Sequence, residues 1–167
     1  MLISNVLCFL ALASPAGSLD DATATPLAFS LQLWAGESYG PGRWWEGAIL
    51  PDGRARARIF ATTPWSVERQ LLDAQRVKLT ALVAALPNDQ SEYRVGVQGL
   101  DLPVFVLIVQ PTTGPKRRYH LGTLDVLRFP ESVRQPLCAL WTFLRILRPS
   151  SDALDPAAAC QATVVGP

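Results

Sequence analysis

The chain has few of the side chains that carry most enzyme chemistry, with one histidine, His120, and three cysteines, Cys8, Cys138 and Cys160, among 167 residues. With no Cys-x-x-Cys pair and a single imidazole, a structural zinc site of the usual Cys/His ligand set is not expected, nor is any other metal or cofactor. Charge is also sparse: 17% of residues are charged and the formal net charge is +1. So small a positive balance gives no strong field for phosphate, and a nucleic-acid partner is not expected. No apolar run approaches the roughly 20 residues that a membrane-spanning helix needs. Glu37, Glu46, Asp52, Asp101 and Asp125 are scattered rather than paired, so a two-carboxylate glycosidase site finds no support in the spacing.

What the sequence does have is apolar residues, 49% of the total, enough for one ordinary domain with its own core. No basic side chain precedes Arg43. The run Val6 to Ala13 is short and apolar, and small residues follow at Ala11, Ala13, Ser14 and Ala16, as a signal peptidase requires. Residues 1–16 therefore read as a secretion signal, the alternative being a buried N-terminal strand or helix. Export to a periplasmic or extracellular space is the expectation. Removing the signal removes Cys8 and leaves Cys138 and Cys160, an even pair in an oxidising compartment, so a disulfide tying the C-terminal tail to the last helix is predicted, with two separate thiols as the alternative.

Residues 17–26 are small, polar and acidic, and read as a flexible N-terminus before a single domain over 27–149 and an Ala-rich tail over 150–167. Leu27, Phe29, Leu31 and Leu33 alternate with polar or small residues, the period of a half-buried strand. A Gly/Pro-rich loop is expected over Ala35–Arg43, then a strand from Trp44 to Leu50. Pro51-Asp52-Gly53 supplies a fixed φ and a position open to positive φ, which reverses the chain into Arg54–Ile59. There Arg54, Arg56 and Arg58 share one face, read as solvated rather than as a basic patch with Lys116, Arg117 and Arg118. A fourth strand is expected over Trp65–Leu71.

A helix is predicted over 73–86, capped by Asp73, with Leu72 stapled onto Val77 and an apolar stripe of Leu79, Leu82, Val83 and Leu86. Residues 88–102 are polar, with a short extended piece at Tyr93–Val97. The unbroken run Val104–Val109 suits a strand buried on both faces at the sheet centre, and Lys116–Leu121 returns beyond the turn Pro111–Pro115. The last helix carries Val133, Leu137, Leu140, Trp141, Leu144 and Leu147 on one face; it starts at either a Ser132/Gln135 capping box or Pro136. The order ββββαββα gives an α+β fold: an antiparallel sheet with two helices on one face.

Gly36-Glu37-Ser38-Tyr39-Gly40 matches the G-x-S-x-G nucleophile elbow, and Asp101 and His120 follow in the order acid, then base. A small serine hydrolase using Ser38, Asp101 and His120 is one reading. However, an elbow needs a helix straight after the serine, and Gly40-Pro41-Gly42 does not start one readily. A glycine turn accounts for the match better. The more informative feature is aromatic: Trp34, Tyr39, Trp44 and Trp45 surround that turn, and rings on a rigid loop suit protein or sugar binding. Because neighbours on a strand point to opposite faces, one of Trp44 and Trp45 must leave the helix-covered side.

The glycine-aromatic hairpin over Gly36–Arg58 with its Asp52-Gly53 turn, the segment Leu72–Leu86 and the hairpin Val104–Leu121 together resemble the small bacterial emfourin-type inhibitors of thermolysin-like metalloproteases. The leading glycine pair of that pattern stands here as Ala35-Gly36, and the signal and C-terminal tail are additional. Three functions are carried forward: a secreted protein-binding module that is not an enzyme, with a protease inhibitor as its narrower form; the serine hydrolase; and a structural component of the cell envelope.

Overall fold

The computed structural model describes residues 25–37, 44–59, 67–95, 103–122, 130–149 and 153–160. The expected signal over 1–16 lies outside them. Among the described residues seven strands form one sheet: β1 (Phe29–Glu37), β2 (Trp45–Ile49), β3 (Arg54–Ile59), β4 (Val67–Gln70), β5 (Glu92–Val95), β6 (Pro103–Pro111) and β7 (Arg117–Gly122), in the spatial order β4-β3-β2-β1-β6-β7-β5. Helix α1 (Asp73–Ala84) connects β4 at one edge to β5 at the other, and α2 (Glu131–Leu144) follows β7. The fold is α+β, as the element pattern predicts.

The sheet is not purely antiparallel. β5 runs parallel to β7, with Tyr93 opposite Tyr119 and Arg94 opposite His120, while every other pair is antiparallel. This seventh strand falls on the short extended piece expected at Tyr93–Val97, in a polar stretch whose weak alternation does not mark it as a member of the sheet. Tyrosines hold it in place instead: the Tyr93 and Tyr119 rings stack at 5.0 Å. The Tyr93 hydroxyl donates to Asp89 and accepts from the Gln90 N–H, both at 2.7 Å. The Tyr119 hydroxyl donates to the Pro87 carbonyl at 2.7 Å, and its burial pushes its pKa up to about 12.

β1 extends past the expected loop boundary at Ala35 because β6 pairs with it as far as Glu37, opposite Pro103, while β2 pairs with it as far as Ala35, opposite Trp45. Leu31, Leu33, Ala35, Trp45, Ile49, Ala55, Ala57, Phe105, Leu107, Val109, Tyr119 and Leu121 form the inner face. They pack with Leu79, Val83 and Leu86 of the α1 segment, Leu137, Leu140, Trp141 and Leu144 of α2, and Leu147 in the 3-10 turn Arg145–Leu147. Each such leucine contributes about 1.5–3 kcal/mol by leaving water. Both helices therefore cover one face of the sheet.

The helix starts differ from expectation. Asp73 is the first helical residue of α1 rather than its cap. Leu72 and Val77 are 69% and 71% exposed, so no hydrophobic staple forms; the Gln75 side chain instead accepts from the Leu72 N–H at 3.0 Å. α2 begins at Glu131, earlier than either expected start, and accommodates Pro136 inside it. Arg76 takes an inward position on α1 at 6% exposure. Its guanidinium donates to the Thr25 carbonyl at 2.9 Å and lies over the β2–β3 turn, where a Cβ on Gly53 would fall 3.0 Å from Arg76 Cζ.

The chain after Pro149 is anchored over 153–160. Ala153 and Ala157 are buried, Trp45 Nε1 donates to the Leu154 carbonyl at 2.8 Å, and Asp155 pairs with Arg145 at 2.9 Å. Asp155 also caps the short helix α3 (Pro156–Ala159), accepting from the Ala157 N–H. Cys138 on α2 is joined to Cys160 just beyond α3, with Cα atoms 5.6 Å apart.

Two outcomes test this account. Gly53→Ala should cost about 1–3 kcal/mol in chemical denaturation, because φ at Gly53 is +84° and the new methyl would crowd Gln70 and Arg76. Cys138→Ser should lower stability by about 3 kcal/mol through the lost closure of a 22-residue separation, with reductant lowering the native protein equally and leaving the variant unchanged.

Candidate functional site

The face of the sheet away from α1 and α2 is built from the alternate residues of every strand, and the register aligns them into rows. One row runs Arg58, Glu46, Trp34, Val106, His120, Arg94; the next runs Glu68, Arg56, Ala48, Gln32, Ile108, Arg118, Glu92. Apolar groups occupy the centre. Trp34 on β1 is 44% exposed, and Val104, Val106 and Ile108 on β6 are half-buried. The run Val104–Val109 is thus buried on one face only; its even-numbered residues look outward.

The four aromatic residues separate. Trp45 points inward at 2% exposure, where its ring fills the core and its N–H is spent on Leu154. Its neighbour Trp44 is therefore on the outer side. The Trp44 indole lies directly over Gly36, so closely that any side chain there would occupy the ring's position. That contact gives Gly36 a role independent of any nucleophile elbow. Trp34 and Trp44 thus share the outer face, while Tyr39 lies outside the described residues, as do Ser38 and Asp101.

Charges border this centre. On the β2–β3 side, Arg58 Nε donates to Glu46 at 2.5 Å, and beyond the turn Arg54 pairs with Asp52 at 2.7 Å. On the β7–β5 side, Glu92 lies 2.8 Å from Arg94 and 3.1 Å from His120 Nε2. Hydrogen bonding to Arg94 holds the Glu92 carboxyl below its ordinary value. Burial is the main influence on His120 and lowers its pKa from 6.5, against the opposing pull of Glu92. This histidine is held against a carboxylate in the wall of the face.

Sequence reasoning identified the rings but missed the aliphatic half of the face. Val104, Val106 and Ile108 sit in a run whose periodicity is hidden, because both faces of β6 are apolar. The pairing of β1 with β6 is what brings them beside Trp34. The resulting surface has aromatic and aliphatic groups at the centre and charges around them. Among the described residues there is no group of three His, Cys, Asp or Glu side chains able to hold a metal ion, and no helix long and apolar enough to cross a membrane. Compared with known proteins, the chain matches no family model and no curated protein sequence.

The His120 environment yields a pH dependence. Its folded pKa lies below the unfolded value near 6.5, so the unfolded chain takes up the proton first as pH falls. This contribution to stability is full above about pH 6.5 and is lost as pH falls through the folded pKa. Glu92 stays ionised through that window, since its pKa is below 4.5. Urea midpoints should therefore fall between about pH 7 and 5 in the native protein, and less steeply in His120→Gln. Equal slopes for the two proteins would contradict the assignment.

Proposed function

We propose that the chain is an exported protein-binding module that acts by contact rather than by catalysis, and that the sheet face opposite the helices is its contact surface. The observation that carries this reading is Trp34, a large ring 44% exposed on a central strand, beside the half-buried Val104, Val106 and Ile108. A tryptophan there presents large contact area at little entropy cost, because the two-sided pairing of β1 fixes its backbone. Trp44, held over Gly36, extends the surface beyond Trp34.

Export is supported by the bonded pair Cys138 and Cys160, which suits an oxidising compartment, together with the signal read in residues 1–16. For the partner, the residue pattern shared with emfourin-type inhibitors suggests a secreted metalloprotease.

The test is binding and inhibition of a thermolysin-like metalloprotease, alongside affinity capture from the producing organism's secreted fraction, with native and Trp34→Ala proteins. Trp34→Ala should fold normally, since the ring lies outside the core, and should weaken the captured complex by about 2 kcal/mol, roughly thirtyfold. A partner held equally well by both proteins would remove the sheet face as the contact surface. Capture without protease inhibition would discard the inhibitor and retain the binding module.

A further inference from the structure

On the helix-covered side of the sheet, a groove of about 310 Å3 opens between the C-terminal half of α1 and the β6–β7 hairpin. Its floor is apolar, formed by Phe29 and Val83 with Ala28, Ala84 and Pro111, and its polar groups are Thr80, Asn88 and Arg117. A second hollow of about 220 Å3 continues past Asn88, Pro111 and Arg117 to Pro115. The first volume is at the lower end of the roughly 300–1,000 Å3 typical of small-molecule sites.

Arg117 is unusual in its placement. It stands opposite Val109, in the row that includes Leu31, and shares a face with Tyr119 two residues on. The face is otherwise the protein's core, so this arginine projects where strand neighbours are apolar. Among the described residues no carboxylate lies within ion-pairing distance of it. The guanidinium is near enough to the Tyr119 hydroxyl to pull that group's pKa down against the larger effect of burial, and it carries five N–H donors for other acceptors. The end of α1 makes limited demand on them: the Ala81 and Val83 carbonyls accept from the Ala85 and Leu86 N–H groups, and Pro87 accepts from Tyr119. Thr80 is likewise engaged, donating to the Arg76 carbonyl at 2.9 Å.

We infer that this groove is a binding site for a small apolar molecule ending in a carboxylate, with the carboxylate on Arg117 and Asn88 and the apolar body along Phe29, Val83 and Ala84. The planar guanidinium matches a carboxylate through two parallel hydrogen bonds. The apolar floor gives the rest of the ligand a surface on which to leave water. A neutral ligand of the same shape would forgo the charge-assisted bonds, and a fully polar one would leave the floor wet. The site is on the opposite side of the sheet from Trp34 and stands or falls independently of the protein-contact reading.

The experiment is an amide-resolved NMR titration of the full chain with octanoate, phenylacetate and 4-phenylbutyrate, each beside its primary alcohol. At least one acid should give saturable shifts at Ala28, Phe29, Ala84, Asn88 and Arg117, with its alcohol about tenfold weaker or more. Arg117→Gln should weaken the acid by a similar factor while keeping the dispersed spectrum of a folded protein. As a second variant, Ala84→Leu fills the groove from the exposed side of α1 without touching Arg117, and should abolish binding. Acid and alcohol binding equally, undiminished affinity in either folded variant, or no saturable shift at these residues with any of the three acids would overturn the assignment.

Discussion

The pairing of β1 with β6 is the interaction on which the rest of the molecule depends. Nine residue pairs, from Phe29 opposite Pro111 to Glu37 opposite Pro103, join two parts of the chain that are otherwise built locally. On one side β1 to β4 form a meander; on the other β6 and β7 form a hairpin with β5 along its outer strand. Without this central ladder neither part has a partner for its inner strand, and Leu31, Leu33, Leu107 and Val109 have no common floor on which α1 and α2 can lie. Its register is also what sets the outer face, since a shift of one residue would turn Trp34 inward and Leu33 out.

Much of this was legible in the sequence. Alternation marks β1 and β3 because each has one apolar face and one polar face, and Pro51-Asp52-Gly53 marks the turn between β2 and β3 because only glycine readily takes the φ of +84° found there. The stripe on α2 is read equally well from Leu137, Leu140, Trp141 and Leu144. The strand β5 was not legible as a sheet member, since Glu92 and Arg94 face water beside a single inward Tyr93, and its partner is 26 residues away on β7. The start of α1 was misread because Leu72 and Val77 suit a staple by type, whereas both project into solvent.

The candidate site was half legible. Strand geometry requires one of Trp44 and Trp45 to leave the core, but the choice between them rests on Leu154, more than one hundred residues on, which accepts the Trp45 N–H. Arg76 was hidden for a similar reason. It occupies the helical position three residues before Leu79, where a stripe would call for an apolar side chain, and it is accommodated because the Thr25 carbonyl receives its guanidinium. Long-range acceptors of this kind leave no local trace in sequence. Arg117 reads as one more member of a basic run until the pairing with Val109 shows which way it faces.

The two outermost strands determine how the sheet meets other molecules. Within the described residues β4 and β5 are each four residues long, and they carry Glu68, Arg69 and Gln70 at one border and Glu92 and Arg94 at the other. Short, charged borders offer little backbone for an incoming chain to zip onto, and they make end-to-end growth of the sheet into fibrils unfavourable. The protein can therefore display tryptophan on a broad sheet while its borders discourage polymerisation.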